Sequence, residues 1–237
     1  MQTARQQNKT FQKNLYKCEI CRDTGWIQTE NGYAECECTI RENNIMQLKK
    51  AGLQDTDIDK SFGNYKAWNT ETAEMKNIAI SYYKGFENIK KSRHNSLALL
   101  GQSGAGKTHL LQALINNFLK NRNLRLRYMS YSDIIYFLKQ NSMNAEIYQG
   151  EINKYKNAEL LIIDDMFKLS RSDTDVRIMF EIINYRYINH LPIAISSEYC
   201  IEDFVEIDNA LGGRIKEMTQ DFVYQVRKKE IDYRLRR

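Results

Sequence analysis

The sequence contains little proline and no long apolar run. One proline among 237 residues argues against proline-rich linkers. The longest uninterrupted aliphatic stretch, Leu160 to Ile163, is far shorter than the ~20 apolar residues of a membrane span. Residues 1–14 are mostly polar and show no apolar signal-peptide core. We therefore expect a cytoplasmic protein with no membrane partner.

The overall composition favours a folded protein. Apolar residues make up 42% of the chain and charged residues 27%, as in ordinary globular domains. A length of 237 residues suits one domain with an appendage, or two small domains. The net charge of +5 lies after residue 60, and residues 227–237 hold six basic and two acidic side chains. Such a tail could bind nucleic acid or another acidic partner, or could simply be solvated.

Four of the five cysteines are clustered, as Cys18-x2-Cys21 and Cys36-x-Cys38. In a cytosolic protein, clustered cysteines favour metal binding over disulfides. The intervening Asn31-Gly32 predicts a hairpin turn that returns the second pair toward the first. Four thiolates would make a closed, structural Zn²⁺ site, and the metal would supply the folding energy of so small a module. An iron–sulfur cluster and unliganded thiols remain alternatives.

The remainder of the chain alternates between helix-like and strand-like segments. Residues 43–65 are predicted to be a connector, with a short helix near Ile45 to Leu48 and acidic residues at 55, 57 and 59. Because strands alternate with amphipathic helices from residue 66 onward, we expect an α/β fold with a mostly parallel sheet covered on both faces. The predicted divisions are therefore 1–42, 43–65 and 66–237. The predicted strands are Ser96–Leu100, Leu124–Tyr128, Leu160–Ile163 and Ile193–Ser197.

A phosphate-binding loop is the most specific motif. Residues 101–108 match G-x4-G-K-[ST] in full, between an apolar strand and an amphipathic helix. Backbone amides of such a loop and the helix N-terminus surround phosphates. We expect Lys107 to bind the β- and γ-phosphates of ATP and Thr108 to bind Mg²⁺. The predicted nucleotide-binding residues are Gly101, Gln102, Ser103, Gly104, Ala105, Gly106, Lys107 and Thr108.

A pair of acids follows the third predicted strand. In Leu160-Leu-Ile-Ile-Asp164-Asp165, a buried strand would deliver two carboxylates to the sheet edge beside the phosphate loop. Asp164 would then complete the Mg²⁺ shell, and Asp165 would orient the attacking water. The alternative is that these acids merely end a strand. Because aspartate is one methylene shorter than glutamate, we expect slow or partner-dependent hydrolysis.

Together, these motifs resemble the DnaC/DnaI-type helicase loaders of bacteria and phages, which are AAA+ ATPases related to IstB-like transposition proteins. The resemblance rests on the cysteines around Asp23-Thr-Gly-Trp26, on Ser61–Tyr65, on the phosphate loop and on the paired aspartates. It implies an AAA+ P-loop core preceded by a small zinc-binding module. That module would bind a hexameric DnaB-type helicase, and the core would use ATP and single-stranded DNA to place the ring. A phage origin is compatible with the short connector.

The same resemblance assigns two further site residues. Ile195–Glu198 falls where the family carries a sensor strand ending in Ser/Thr-Asn, which makes Ser197 the predicted sensor although Glu198 replaces the asparagine. Leu211–Ile215 resembles the segment that carries an arginine finger, which makes Arg214 a candidate for catalysis in a neighbouring subunit. An ordinary surface arginine is the alternative. A finger would imply self-association only in the ATP-bound or helicase-bound assembly.

Other features give weaker predictions. The mixed aromatic and basic residues at 148 and 154–156 could form a single-strand groove, but tyrosine is common throughout the chain, which favours a partly buried helix face. His109 and Cys200 are predicted to be a packing residue and an inert buried thiol, and residues 232–235 resemble the family's C-terminal ending. Competing functions are an IstB-like transposition ATPase, a low-turnover nucleotide-bound adaptor and a small-molecule kinase.

Overall fold

The computed structural model describes residues 16–30, 32–50, 53, 59–122, 124–168 and 171–226. Outside these ranges lie Asp55 and Asp57 of the predicted acidic patch. The basic tail, with the family-like residues 232–235, lies outside them too. Within the described ranges, no helix is both long and apolar enough to cross a bilayer.

The N-terminal part is a hairpin followed by a helix. Strands β1 (Trp26–Thr29) and β2 (Gly32–Glu35) pair antiparallel, with Thr29 opposite Gly32. The hairpin is as predicted, but Gly32 belongs to β2 and not to the turn. Helix α1 spans Glu37–Lys50. The helix predicted near residues 45–48 is the last part of α1, and the boundary predicted between residues 42 and 43 lies inside it.

The core is a five-stranded parallel sheet. Its order is β4-β5-β6-β3-β7, and every neighbouring pair is parallel. The predicted α/β fold is thereby confirmed. Strand β7 was not predicted because it is short and only partly buried. The strands are β3 (Leu97–Gly101), β4 (Leu126–Ser130), β5 (Leu160–Met166), β6 (Ile193–Ser197) and β7 (Val223–Val226).

Helices cover both faces of this sheet. Several begin at capping side chains. At the helix that starts at residue 173, Ser172 Oγ accepts from the Asp175 N–H and the Asp175 carboxylate accepts from the Ser172 N–H. Gly212 lies where a Cβ would come 2.4 Å from the Val205 backbone nitrogen, so only glycine permits that helix contact. The helices are α2 (Thr70–Ile89), α3 (Lys107–Asn121), α4 (Tyr131–Gln140), α5 (Ala145–Lys156), α6 (Asp173–Ile188), α7 (Ile201–Ile207) and α8 (Asn209–Met218).

Alternation along the buried strands divides the apolar side chains into two cores. Leu97 and Leu99 of β3 pack with α2 and α3, whereas Ala98 and Leu100 pack with the helices on the opposite face. A parallel sheet buried on both faces requires such continuously apolar strands. Because these strands are parallel, the carboxyl ends of β5, β6 and β3 meet at one edge of the sheet, where the phosphate loop and the paired aspartates lie.

Helix α1 attaches the N-terminal part to the edge strand of this sheet. The buried Asn44 side chain donates from Nδ2 to the Leu124 carbonyl at 2.7 Å and accepts from the Leu126 N–H at 3.2 Å. It thus takes the place of a neighbouring strand and satisfies an otherwise open edge. An ion pair between Arg125 and Glu35 at 3.0 Å adds a second connection.

Candidate nucleotide and metal sites

The phosphate loop connects β3 to α3. Gly106 is the N-cap of α3 and has a φ of +85°, a conformation that glycine adopts without strain. A Cβ at this position would lie 2.8 Å from a ring carbon of Tyr65. The N-cap therefore has no side chain over the first-turn amides, which with the helix dipole form an anion-binding site.

Lys107 lies inside this loop. Its Nζ donates to the carbonyls of Gly101 at 2.6 Å and Gln102 at 2.7 Å, and the side chain is buried. Burial lowers the pKa of Lys107, while the negative charges of Glu198, Asp165 and Asp164 act in the opposite direction. The ammonium group is therefore held at the loop, where a polyphosphate would provide its anionic partner.

Asp164 is the centre of a hydroxyl network. Its Oδ1 accepts from Thr108 Oγ1 at 3.0 Å, and its Oδ2 accepts from the Tyr128 hydroxyl at 2.9 Å. The Ser196 hydroxyl donates a further hydrogen bond to Oδ1. Burial raises the pKa of Asp164, which the Ser196 bond partly opposes. The structure thus brings together Thr108 and Asp164, a hydroxyl and a carboxylate of the hard-oxygen type that suits Mg²⁺.

The structure brings Ser196, and not the predicted sensor residue Ser197, to the paired aspartates, and the sensor role itself stays a prediction. Ser197 Oγ donates to the Met166 carbonyl at 2.7 Å and accepts from the Tyr199 N–H at 3.1 Å. Ser196 instead bonds Asp164 and accepts from the Asp165 N–H at 2.8 Å. Adjacent strand residues point to opposite faces, so only one of these serines can reach the aspartates. The sequence carried no signal for which one.

Asp165 lies beside the loop but is already paired. Its backbone has a φ of +56°, and its carboxylate contacts Lys168 Nζ at 2.5 Å. Asp165 and Lys168 line the same cavity of about 600 Å³ as Lys107 and Thr108. Sequence reasoning missed Lys168 and Tyr128, because neither belongs to a recognisable motif.

The segment at residues 61–65 forms another wall of the cavity. Tyr65 donates from its hydroxyl to the Ala105 carbonyl at 3.0 Å, and burial raises its pKa. His109 Nε2 lies 3.3 Å from the Ser61 carbonyl and 3.1 Å from Asn64 Oδ1. Its ring meets Tyr65 edge-on at 5.2 Å between centroids. The contacts agree with the packing role predicted for His109, which fastens this wall to α3.

Arg214 makes its hydrogen bonds within its own subunit. Its Nε donates to Asn184 Oδ1 at 2.9 Å and its Nη1 to the Ala210 carbonyl at 2.8 Å. Its guanidinium lies over the Phe180 ring, 5.0 Å from the centroid. Arg214 does not line the nucleotide cavity of its own chain. Its assignment as a finger stays a prediction.

The candidate DNA-binding residues engage carboxylates. Tyr148 and Lys156 contact Glu181 at 3.1 and 2.6 Å. Lys154 and the buried Tyr155 contact Glu151 at 2.5 and 2.9 Å. The contacts favour the partly buried helix face over a single-strand groove. Cys200 is only half-buried, and its backbone N–H donates to Asp203 at 2.6 Å, which corrects the expected buried thiol.

The four N-terminal cysteines converge. Their Sγ atoms all lie within 4.8 Å of one another, including Cys18 to Cys36 at 3.8 Å and Cys21 to Cys38 at 3.4 Å. Tetrahedral Zn²⁺ with bonds of about 2.3 Å places its sulfurs about 3.8 Å apart. The Cys36 N–H also donates to the Gly25 carbonyl at 2.8 Å. The residues therefore fit a Zn²⁺ ion, and Cys18, Cys21, Cys36 and Cys38 would hold it.

The ionisation of these thiols also favours a cation. Burial opposes ionisation of Cys21, but hydrogen bonds from Gly25 and the neighbouring thiols lower its pKa to about 7. The contact with Cys21 and burial raise the pKa of Cys38 to about 12. Ionisation of one thiol therefore disfavours ionisation of its neighbour. A divalent metal removes that conflict because it binds all four as thiolates.

A family assignment follows from comparison with known proteins. The family model for the bacterial DnaA ATPase domain matches residues 61–221. This range contains the phosphate loop, both aspartates and the wall at residues 61–65. The chain belongs to that family. Residues 61–221 are thereby an ATP-binding AAA+ domain.

Two similar proteins come from Bacillus subtilis strain 168. The uncharacterized protein YqaM is 35% identical over 92% of this chain and 72% of its own length. The phage-like element PBSX protein XkdC is 34% identical over 88% of this chain and 81% of its own length. In both cases the similarity extends beyond the DnaA-type ATPase domain.

Solved structures share the fold at lower identity. The DnaC helicase loader has a TM-score of 0.62 at 18% identity, covering 73% of this chain and 100% of that one. DnaI has a TM-score of 0.60 at 20% identity, covering 74% and 94%. Replication initiator DnaA bound to AMPPCP and single-stranded DNA has a TM-score of 0.60 at 22% identity, covering 75% and 52%. These likenesses confirm the AAA+ fold predicted from the motifs.

Proposed function

We propose that this protein is an ATP-dependent loader that binds a hexameric DnaB-type helicase and helps place it on single-stranded DNA during replication initiation. The observation that carries the proposal is the combination of two sites in one chain. A four-cysteine metal site is attached by α1 to a DnaA-type ATPase core. The fold likeness to DnaC and DnaI and the phage-element relative support it. Such a loader would act in the cytoplasm of a bacterial cell.

The ATPase site has the groups that nucleotide binding and hydrolysis require. The loop of residues 101–108 would hold the phosphates, and Thr108 and Asp164 would hold Mg²⁺, which would neutralise charge that develops on the phosphates. Asp165 is the adjacent carboxylate that would orient the attacking water. Its ion pair with Lys168 must first open, so we expect slow basal turnover.

Completion of the site by a second subunit would make ATP hydrolysis depend on assembly as well. A finger from Arg214 of a neighbouring copy would have to give up its bonds to Asn184 and Ala210. We therefore propose that self-association occurs in the ATP-bound or helicase-bound assembly.

The N-terminal module offers an apolar surface for the helicase. Ile20, Trp26 and Tyr33 are 72%, 55% and 76% exposed, which is a high density of large apolar side chains for so small a unit. Exposed apolar patches mark protein-binding surfaces. We propose that residues 1–42 bind the helicase through this surface, while residues 66–237 respond to ATP.

Single-stranded DNA is the proposed nucleic-acid partner. The support is the likeness to a DnaA structure that contains a single strand and the excess of basic residues in the C-terminal tail. Because Tyr148, Lys154, Tyr155 and Lys156 are engaged with Glu151 and Glu181, we do not place the strand on that face.

Co-elution with the replicative helicase of the host tests the loader proposal. Size-exclusion chromatography with light scattering would compare wild type, Lys107→Ala, and the double variant Cys18→Ser with Cys21→Ser, with an ATP analogue present. We expect wild type and Lys107→Ala to form the complex and the cysteine variant to lose it. Lys107→Ala should at the same time lose nucleotide binding.

Other results would point elsewhere. No complex from folded, zinc-loaded wild type would reject the helicase as partner and favour the transposition ATPase or an adaptor. Loss of the complex in Lys107→Ala would mean that helicase binding is not confined to the zinc module. ATP binding without turnover, with or without single-stranded DNA, would favour the low-turnover adaptor.

A further inference from the structure

Lys168 is a cation at the nucleotide cavity that no motif assigns. Its backbone N–H donates to the Asp165 carbonyl at 3.0 Å, which closes a tight turn after β5. Its Nζ contacts the Asp165 carboxylate at 2.5 Å. Both residues line the cavity that also includes Lys107 and Thr108.

The turn that carries Lys168 is held in an uncommon conformation. Asp165 and Phe167 have φ values of +56° and +62°. Residues other than glycine rarely adopt such positive φ values. Phe167 is fully buried, with ring centroids of Tyr131 and Phe204 5.5 and 6.0 Å away. Strained backbone persists where surrounding packing determines it, and it is concentrated at functional sites. The packing of Phe167 thus keeps Lys168 at the cavity.

The negative charges around the cavity favour a second cation beside Lys107. Strand β6 lies between β5 and β3, so Glu198, which follows β6, lies between the turn of Lys168 and the phosphate loop. Its charge acts on both Lys107 and Lys168. Asp164 would be balanced by Mg²⁺, but Asp165 and Glu198 add two further carboxylates near the place where a polyphosphate would bind. Like charges in one site disfavour each other, and Lys107 alone cannot balance both carboxylates and the phosphates.

We propose that Lys168 is a second phosphate-binding cation, which recognises the terminal phosphate of ATP and offsets the repulsion from Glu198. On ATP binding, the ammonium group exchanges the Asp165 carboxylate for a terminal phosphate oxygen and stays protonated. Asp165 is thereby released to orient water. The inference rests on the proposed function only in taking a nucleoside triphosphate as the ligand. It does not depend on the helicase.

The test is the preference for ATP over ADP, measured with fluorescent nucleotide analogues and Mg²⁺. Lys168→Ala should weaken ATP relative to ADP by about tenfold or more, as expected for loss of a charge-assisted hydrogen bond. Lys168→Arg should keep most of the preference. Lys154→Ala is the matched control, because Lys154 makes a 2.5 Å contact with Glu151 at the same spacing. It should leave the ratio unchanged.

Glu198→Gln supplies a second variant that does not depend on how well Lys168→Ala folds. It should increase the preference for ATP, and the double variant Lys168→Ala with Glu198→Gln should recover part of the lost preference, since the effects of charges that interact within one site are not additive. An ATP-to-ADP ratio in Lys168→Ala equal to wild type would overturn the proposal. So would the absence of any effect of Glu198→Gln. Helicase co-elution measured on the same variants keeps the loader question separate.

Discussion

The nucleotide site and the cysteine site are built by different means. The first lies at the edge of a sheet whose strands β3 and β6 are completely buried, and hydrogen bonds hold Asp164 and Lys107 at that edge. The second lies in a two-stranded hairpin with large exposed apolar side chains, and four sulfurs are its centre. The contrast shows that burial positions the first site, whereas the second has little buried core and would be held by the Zn²⁺ ion that its four cysteines fit. The two should therefore fail independently.

Loss of the cysteine ligands should cause the largest loss of structure among the changes predicted. In Cys18→Ser with Cys21→Ser, we expect residues 16–36 to unfold, because structural zinc supplies about 10–16 kcal/mol in small zinc modules. Hydrogen exchange would show loss of protection in the hairpin, and zinc analysis would show loss of the ion. Nucleotide binding should persist. Retention of zinc by this variant would contradict the ligand assignment, and loss of ATP binding would contradict the independence of the two sites.

Ser196 and Ser197, which are neighbours in β6, should differ in their effects on ATP turnover and on stability. Ser196→Ala should lower Mg²⁺-dependent ATPase turnover by about 10-fold to 100-fold, as for other residues that orient a metal ligand. Ser197→Ala should spare turnover and cost about 1–3 kcal/mol of unfolding free energy, because it loses the hydrogen bonds to the Met166 carbonyl and from the Tyr199 N–H. Steady-state assays across Mg²⁺ concentrations and urea unfolding separate the effects. The reverse pattern would restore Ser197 as the sensor.

The junction between the two regions can be weakened at Asn44. Asn44→Ala leaves the Leu124 carbonyl and Leu126 N–H without the side chain that now binds them, so we expect a loss of about 1–3 kcal/mol. Urea unfolding would measure it, and hydrogen exchange at Leu126 would locate it. Asn43→Ala, on the exposed face of the same helix, is the control. Equal stability of the two variants would mean that α1 is not held through Asn44.

A small pH effect should arise at the wall of the nucleotide cavity. Burial lowers the pKa of His109, so the unfolded chain takes up the proton first. Stability should therefore be complete above about pH 6.5 and decline as pH falls toward the folded-state pKa. Urea midpoints from pH 7.5 to 5.5 should show this decline in wild type and a smaller one in His109→Gln. His94→Gln, which removes an exposed imidazole near Asp221, is the control for replacing a surface histidine and should leave the decline in place. An unchanged decline in His109→Gln would assign it to another group.

Local sequence patterns predicted most of the core and both site centres. Strands β3, β5 and β6 were recognisable because buried parallel strands are largely apolar, and the phosphate loop because its glycines and lysine lie within eight consecutive positions, 101–108. Strand limits were less accurate, since β4 is shifted by two residues and β5 continues to Met166 through an irregularity in its pairing with β6. The extent of α1 was underestimated because few of its residues are apolar.

What the sequence determined by itself is the chemistry that short spacings encode: the residues of the phosphate loop, the acid that follows a buried strand, and the four thiols. Each depends on neighbours a few positions away. What only the tertiary structure decided is which side chains meet across strands and helices. Ser196 rather than Ser197 reaches Asp164, Lys168 contacts Asp165 at the nucleotide cavity, and Asn44 binds the edge of the sheet at Leu124 and Leu126. These depend on strand register and on contacts between distant segments, which no local pattern specifies.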